Sequence, residues 1–249
     1  MTAPDSRPAA LDALAARVVI LVGHFGSGKS EIAINVALGW RERGLEVSLV
    51  DLDVVKPYFR VRATRDFMAE RGIAVIAPEG ENVHADLPII VPAVRRLLLD
   101  PEARLVVDVG GDPVGTRALG SLSDLVRRAE TAHLVVLNFR RPYTETVDDA
   151  VVMCRAIEEA ARLPLTGIVS NTHLLGETTA ADVTYGFEMS CEVATRLGLG
   201  VKMVVVDEAT RGALHEGEFG CAILTLRRLI RPPFEPMRVR ASGPLFALN

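Results

Sequence analysis

Residues 23–30 read Gly23-His24-Phe25-Gly26-Ser27-Gly28-Lys29-Ser30. This stretch matches the pattern G-x-x-x-x-G-K-[ST] in full. In that pattern the glycines let backbone amides converge on phosphate oxygens, the lysine binds the outer phosphates and the hydroxyl binds Mg²⁺. An apolar run at 18–22 precedes the stretch and a segment of helical period follows it. The pattern therefore lies between a predicted strand and a predicted helix, as a phosphate-binding loop requires.

The loop supplies most of the candidate ligand-binding residues. Lys29 also has a predicted catalytic role, because a cation at the outer phosphates stabilises the charge that develops there. The helix that begins near Lys29 aims its positive end at the same place. The candidate nucleotide-binding residues of this segment are Gly23, His24, Phe25, Gly26, Ser27, Gly28, Lys29, Ser30 and Glu31.

Carboxylates follow two other apolar runs. Asp108 lies at the end of the run 105–109, where it is the candidate for Mg²⁺ support beside Ser30. Asp112, a little further on, suits a site residue and a turn residue equally well. The run that begins at residue 46 ends in Asp51-Leu52-Asp53, and side chains two residues apart in a strand point the same way. One aspartate of this pair suits water orientation, and the other suits the water shell of a metal.

The composition predicts one globular α/β unit. The 249 residues are 49% hydrophobic and only 5% aromatic, as in a parallel sheet that helices cover on both faces. The formal net charge of −4 gives no general attraction for nucleic acid, so nucleic-acid binding is disfavoured. Three distant cysteines predict neither a disulfide framework nor a zinc site. Since the sequence shows no signal-peptide core and no apolar run of ~20 residues, we expect a soluble, cytoplasmic protein without a transmembrane segment.

Short apolar runs alternate with helical segments, which predicts a doubly wound, mostly parallel sheet of about seven strands. No composition shift divides the chain, so we expect a nucleotide-binding domain at 17–231, a partly irregular N-terminal extension at 1–16 and a proline-rich tail at 232–249. The predicted strands are 18–22, 46–51, 73–76, 105–109, 133–138, 165–171 and 201–206. The predicted helices are at about 29–43, 58–71, 87–99, 116–129, 146–162, 182–197 and 218–229.

The three motifs together resemble the MinD/ParA/CobQ-like ATPases of the SIMIBI class of P-loop NTPases. In that family the second strand ends in Asp-x-Asp, as Asp51-Leu52-Asp53 does, and a Walker B aspartate follows later, as Asp108 does. The resemblance implies a P-loop NTPase fold with ATP and Mg²⁺ as cofactors. It also implies Ser30, Asp51 and Asp108 at the metal and Asp53 in catalysis at the attacking water. The loop and the segment 51–60 are more closely similar to a poorly characterised bacterial ATP-binding branch of this group.

The nucleotide base is assigned from an absent motif and from the resemblance. Asp108-x-x-Gly111 has the shape of a GTPase switch motif, but the sequence has no [NT]-K-x-D run for guanine recognition, so ATP is preferred. In related ATPases an asparagine that closes a late strand holds the adenine, and Asn171 is similar in position. The segment 207–209 could supply a second contact. An asparagine at such a place is about as well suited to a helix cap or a turn.

One position departs from the family pattern. Related proteins carry a signature lysine directly after the first loop glycine, where this chain has His24. A neutral imidazole cannot replace a permanent cation, although a protonated one held near phosphate could in part. This departure argues against the lysine contact that related proteins make across a nucleotide-bridged dimer. Four arginines are alternative sources of positive charge, although arginines on helices and loops are more often solvated. They are Arg60, Arg62, Arg140 and Arg141.

Three functional hypotheses follow. The leading one is a Mg²⁺-dependent ATPase that acts as a nucleotide-driven switch on a partner protein, on a second copy of itself or on a cofactor-assembly target. The second is an ATP-dependent ligase or phosphoryl-transfer enzyme that modifies a small metabolite, as in cobyrinate amidation or dethiobiotin synthesis. The third is a nucleotide-sensing binding module without turnover, which the histidine at position 24 favours.

Overall fold

A computed structural model of the chain describes residues 7–52, 64–77, 83–111, 113–215 and 217–229. These residues contain eight strands in one sheet, and every pair of neighbouring strands is parallel. The strand order is β3-β2-β4-β1-β5-β6-β7-β8. The strands are β1 (Val18–Val22), β2 (Val47–Asp51), β3 (Ala74–Ile76), β4 (Arg104–Asp108), β5 (Thr131–Leu137), β6 (Gly167–Ser170), β7 (Val201–Asp207) and β8 (Ala222–Leu226).

Helices connect most of the strands, and local signals mark several of their ends. The last long helix, α8, begins with a reciprocal capping box between Thr179 and Asp182 and ends at Gly198, whose φ is 67°. The helices are α1 (Arg7–Asp12), α2 (Lys29–Glu42), α3 (Arg65–Ala69), α4 (Val83–Leu99), α5 (Pro113–Gly120), α6 (Ser123–Val126), α7 (Val147–Ala161), α8 (Ala180–Leu197) and α9 (Glu208–Arg211). Leu175–Glu177 forms a 3-10 turn.

The central strand β1 is buried along its whole length. Val18, Ile20 and Val22 belong to the core on one face of the sheet. Val19 and Leu21 belong to the core on the other face. Because successive side chains of a strand alternate between faces, helices on both sides explain why β1 is apolar without interruption.

The strand order places a crevice at the carboxyl end of β1. After β1 the chain crosses to β2, which lies beyond β4 along one edge of β1, whereas β5 pairs with the opposite edge of β1. Open α/β sheets bind ligands where the strand order reverses in this way, outside the carboxyl ends of the strands. The predicted phosphate-binding loop, residues 23–28, leaves β1 at this point and leads into α2. The predicted fold class is confirmed, with eight strands rather than about seven.

The predicted helix at 218–229 is wrong, because Ala222–Leu226 form the edge strand β8. Gly217 and Gly220 have φ angles of 85° and 62°, which interrupts a helical backbone just before the strand. A short apolar run fits a strand or a helix equally well by periodicity alone. Here the outer edge of β7 decides the outcome, since β8 pairs with it in register from Met203 to Asp207.

Two further boundaries differ from the prediction. Residues Arg7–Asp12 of the N-terminal extension form α1. Leu11 in this helix is buried against α2, and a Cβ on Gly39 of α2 would lie 2.5 Å from the Leu11 Cδ1 atom. Part of the N-terminal extension is therefore helical, and its buried residues Ala10, Leu11 and Leu14 belong to the core on the α2 face of the sheet. The helix predicted at 116–129 is divided into α5 and α6.

Several predicted features lie outside the described residues. They are Asp53, Asp112, Arg60, Arg62 and the tail at 232–249. The domain boundaries therefore remain predictions. None of the helices in the described part of the chain is both long and apolar enough to cross a membrane.

Candidate phosphate-binding site

The loop at residues 23–28 turns sharply between β1 and α2. Gly28 has φ of 90° and directly precedes the helix, and a Cβ at this position would lie 2.3 Å from the Asn171 amide nitrogen. Gly23 has φ of 143°, and its Cβ would lie 2.5 Å from the backbone oxygen of Val136. Both positions therefore require glycine for their backbone angle and for the close approach of neighbouring strands. The spacing of glycines in the sequence reflects this packing.

Lys29 is the first residue of α2 and is only 6% exposed. Its Nζ atom donates a hydrogen bond of 3.2 Å to the carbonyl oxygen of His24. The ammonium group is thus held across the loop, at the end of the helix where backbone N–H groups point outward. A buried cation and a helix N-terminus at one loop form an environment that favours phosphate.

Two carboxylates lie side by side next to the loop. Asp51 ends β2 and Asp108 ends β4, and the parallel register places these two residues opposite each other. Both are fully buried. The Ser30 hydroxyl, in the first turn of α2, donates a hydrogen bond of 2.5 Å to Oδ2 of Asp108. The structure therefore brings together Ser30, Asp51 and Asp108, the three predicted metal ligands.

This donor set fits Mg²⁺. Hydroxyl and carboxylate oxygens are ligands that Mg²⁺ prefers, and two buried carboxylates on adjacent strands are stabilised by a nearby cation. Across the described ranges there is no group of three or more His, Cys, Asp and Glu side chains that could hold a metal by itself. Mg²⁺ at a nucleotide normally takes few protein ligands, because water and phosphate oxygens complete its shell. The residues present fit an ion that is shared with bound phosphate.

Asparagine side chains hold the loop from the opposite side. Asn171 follows β6, and its Nδ2 atom donates a hydrogen bond of 2.7 Å to the Ser27 carbonyl oxygen. Asn138 follows β5, and its Nδ2 atom donates to the carbonyl oxygens of Gly26, at 3.4 Å, and His173, at 3.2 Å. Both asparagines are at most 3% exposed. The two amides fix the backbone of the phosphate-binding loop directly.

His173 lies behind the same loop. Burial lowers the pKa of its imidazole to about 4, and the positive charges of Arg141 and Arg228 act in the same direction. A Cβ on Gly28 would lie 3.5 Å from its Nε2 atom. The ring is therefore neutral at pH 7 and supports the loop without adding positive charge.

The outer part of the loop is aromatic and exposed. Phe25 is 61% exposed. The His24 ring lies 5.3 Å from the ring of Tyr143, at an angle of 42°. His24 is thus in contact with an aromatic side chain of its own chain.

Glu31 connects the loop helix to the last described segment. Its Oε1 atom accepts a hydrogen bond from the backbone of Leu229, and Asn35, one turn further along α2, exchanges two hydrogen bonds of 2.9 Å with the backbone of Arg227. The Glu31 side chain therefore holds the chain that leaves β8. A nucleotide contact by Glu31 remains a prediction.

The segment after Asp108 contacts the loop as well. A Cβ on Gly111 would lie only 2.1 Å from the carbonyl oxygen of Gly23. Thr116 donates a hydrogen bond of 3.2 Å to the Gly110 carbonyl oxygen and so holds this crossing in place. The phosphate-binding loop and the segment that follows β4 are therefore packed directly against each other.

The structure adds two support residues that the sequence analysis did not select, Asn138 and His173. Asn138 could have been found, because it is a polar residue directly after a buried strand, as Asn171 is. His173 carries no such signal, since only its burial behind the loop distinguishes it from other turn histidines. Asn171 itself lies next to the loop, and a contact with the nucleotide base remains a prediction.

Solved structures of FtsY share this fold. FtsY from Mycoplasma mycoides matches with a TM-score of 0.52 and 15% identity, over 77% of this chain and 60% of its own. The cell division protein FtsY from Thermotoga maritima matches with 0.51 and 20% identity, over 81% and 69%. Chloroplast FtsY from Physcomitrella patens matches with 0.52 and 19% identity, over 75% and 57%.

At these identities the likeness shows the fold alone. The chain spans 60% of the length of the Mycoplasma protein and 57% of the Physcomitrella protein. No protein-family model matches the chain, and no curated protein matches its sequence. The shared fold agrees with the predicted α/β fold class, whereas the SIMIBI class and its MinD/ParA/CobQ-like branch remain predictions.

Proposed function

We propose that this protein is a Mg²⁺-dependent ATP-binding protein of the MinD/ParA/CobQ-like group that hydrolyses ATP and uses its nucleotide state to engage a partner. The observation that supports this most strongly is the convergence of Lys29, Ser30, Asp51 and Asp108 at one edge of the sheet. These residues supply a phosphate-binding cation and a set of Mg²⁺ ligands at the place where an open α/β sheet binds ligands.

Each residue has a definite task in this proposal. Lys29 binds the outer phosphates, and Ser30, Asp51 and Asp108 hold Mg²⁺. When bound, Mg²⁺ neutralises charge on the phosphates during hydrolysis. Asp53, which lies outside the described residues, orients the attacking water in line with the terminal phosphate.

Switching follows from the contact between the loop and the segment after β4. Gly111 lies against the Gly23 carbonyl oxygen, so a change in loop position between ATP and ADP would displace it. The partner is a second protein, a second copy of this chain or a cofactor-assembly target. Capture from extract on immobilised protein with ATP and Mg²⁺, compared with ADP, tests this part: a partner retained equally in both states contradicts the switch.

ATP is proposed over GTP because the sequence lacks the [NT]-K-x-D run that recognises guanine. The shared fold does not decide the base. Competition between ATP and GTP for the purified protein does: tighter binding of GTP would replace the adenine assignment and leave the phosphate site intact.

The decisive experiment is phosphate release from ATP by the purified chain and by Lys29→Ala. We expect hydrolysis by the variant to fall to background, because Lys29 is the cation held across the loop. Lys202→Ala, at an exposed position on β7, is the matched control and should retain the wild-type rate. Hydrolysis at the wild-type rate by Lys29→Ala would overturn the proposal.

A further inference from the structure

Two consecutive arginines follow β5, and their side chains have different surroundings. Arg140 forms an ion pair with Asp182, with N–O distances of 3.0 and 2.9 Å, and lies 4.7 Å from the centre of the Tyr185 ring. Arg141 instead lies against the phosphate-binding loop. A Cβ on Gly26 would be 3.2 Å from its Nε atom and 3.3 Å from its Cδ atom.

The backbone around Arg141 is held firmly. Thr144, only 2% exposed, donates hydrogen bonds from its hydroxyl to the carbonyl oxygens of Asn138, at 2.8 Å, and Arg141, at 3.2 Å. The Asn138 side-chain oxygen accepts a hydrogen bond of 2.9 Å from the Arg140 backbone N–H. Asn138 also donates to the Gly26 carbonyl oxygen of the loop. The same residue therefore holds both the loop and the backbone that carries Arg141.

The Arg141 guanidinium lacks the partners that Arg140 has. Its Nε atom is buried and makes no hydrogen bond to any residue in the described part of the chain. Removing a guanidinium donor from water without a partner is costly, and a phosphate oxygen is a well-matched acceptor for it. The unsatisfied donor lies beside a loop that already has the features of a phosphate site.

The sequence also supports a role for Arg141 as a cation at the phosphate-binding loop. His24 stands where related proteins have a lysine, and its ring contacts Tyr143 instead. Lys29 and Arg141 are two cationic side chains in contact with the loop, one reaching its His24 carbonyl and the other lying on Gly26. A polyphosphate with Mg²⁺ retains net negative charge that a second cation would stabilise.

We propose that Arg141 is a second phosphate-binding residue, which contacts the polyphosphate chain of the nucleotide from within the same chain. This inference rests on the proposed function for the identity of the nucleotide, but the anion contact itself does not depend on the base. Arginine serves this purpose through its permanent charge and its fork of N–H donors.

The test is equilibrium titration of ATP and of inorganic tripolyphosphate, each with Mg²⁺, on wild type, Arg141→Ala, Arg141→Lys and Arg140→Ala. We expect Arg141→Ala to weaken both ligands about tenfold or more, as loss of a charged hydrogen bond does. Arg141→Lys should recover part of the affinity. Arg140→Ala should lower the melting temperature of the free protein, because it breaks the Asp182 ion pair, while tripolyphosphate affinity stays at the wild-type level.

The outcomes separate this inference from the proposed function. Wild-type affinity for both ligands in Arg141→Ala would overturn the inference. A loss of affinity that is fully explained by destabilisation of the free variant, measured as a lower melting temperature, would overturn it as well. If the wild type binds tripolyphosphate through Arg141 but binds neither ATP nor GTP, the inference holds and the nucleotide function fails. If the wild type binds ATP and Arg141→Ala binds it equally well, the function holds and the inference fails.

Discussion

The two halves of the sheet meet the phosphate-binding loop with opposite chemistry. On the side of β4 and β2, the strands end in the buried carboxylates Asp108 and Asp51, next to the Ser30 hydroxyl. On the side of β5 and β6, Asn138 and Asn171 follow the strands and donate to loop carbonyl oxygens. Amides can hold a backbone in shape without a ligand, whereas neighbouring carboxylates are stabilised by a cation. The carboxylate half is therefore expected to act on the ligand, and the amide half to build the loop that receives it.

The largest effect is expected on the carboxylate half. Asp108→Asn keeps the size of the side chain but removes its charge beside Ser30, so ATP hydrolysis should fall by about 100-fold or more while the fold is retained. Steady-state phosphate release measures the loss, and circular dichroism checks the fold. Asp148→Asn, which removes an exposed carboxylate paired with Arg196, is the control and should hydrolyse ATP like the wild type. A wild-type rate in Asp108→Asn would break the comparison.

A smaller effect is expected on the amide half. Asn171→Ala leaves the Ser27 carbonyl oxygen without its amide donor, which should lower the free energy of unfolding by about 1–3 kcal/mol and weaken ATP binding through the altered loop. Denaturant unfolding and ATP titration measure the two effects.

Asn35→Ala is the matched control for this change. Asn35 is also buried, but its amide joins α2 to the segment after β8 rather than to the loop. Asn35→Ala should lower the free energy of unfolding by about as much as Asn171→Ala does, but it should weaken ATP binding much less. Equal loss of affinity in the two variants would mean that Asn171 has no special relation to the loop.

The carboxylate half was more accessible to sequence reasoning than the amide half. Lys29, Asp51 and Asp108 occur in patterns whose chemistry is recognisable from residue type and spacing, and the parallel strands β2 and β4 place Asp51 opposite Asp108 as expected. The sequence predicts a contact with adenine for Asn171, which stays a prediction, whereas the hydrogen bond from its amide to the Ser27 carbonyl oxygen is visible only in the structure. A side chain that supports a backbone loop leaves little trace in sequence, because its partner is a carbonyl group that every residue carries.

The edge of the sheet shows a second limit of the sequence. Residues 222–226 are apolar and short, and only their pairing with β7 makes them a strand. Arg140 and Arg141 show the same limit at the site, since adjacent residues of identical type differ only in what surrounds them. Both distinctions arise from tertiary contacts that local periodicity does not contain.

The smallest effect on ATP binding is expected at the end of β5 that lies away from the loop. His133 is 2% exposed, and burial lowers its pKa to about 4. Between pH 6.5 and 4 the unfolded chain binds a proton that the folded protein excludes, so stability falls as the pH falls, by up to about 1.4 kcal/mol per pH unit for this group. Denaturant unfolding at pH 7, 6 and 5 measures this slope.

His133→Gln should make that slope shallower. It should also leave ATP affinity at neutral pH unchanged. The Nδ1 atom of His133 donates a hydrogen bond of 3.0 Å to the Pro164 carbonyl oxygen, which is not part of the loop. A slope as steep as that of the wild type would remove His133 as its source. A loss of ATP affinity would show that this end of β5 is coupled to the site after all.

The most direct measurement of the division between the two halves is the affinity for ATP with Mg²⁺ and with a chelator, in wild type, Asp108→Asn and Asn171→Ala. The wild type should bind more tightly with Mg²⁺. Asp108→Asn should lose most of this gain in affinity from Mg²⁺. Asn171→Ala should bind ATP more weakly under both conditions, but the ratio of its affinity with Mg²⁺ to its affinity with the chelator should equal the wild-type ratio. A wild-type ratio in Asp108→Asn, or a lost ratio in Asn171→Ala, would contradict the account.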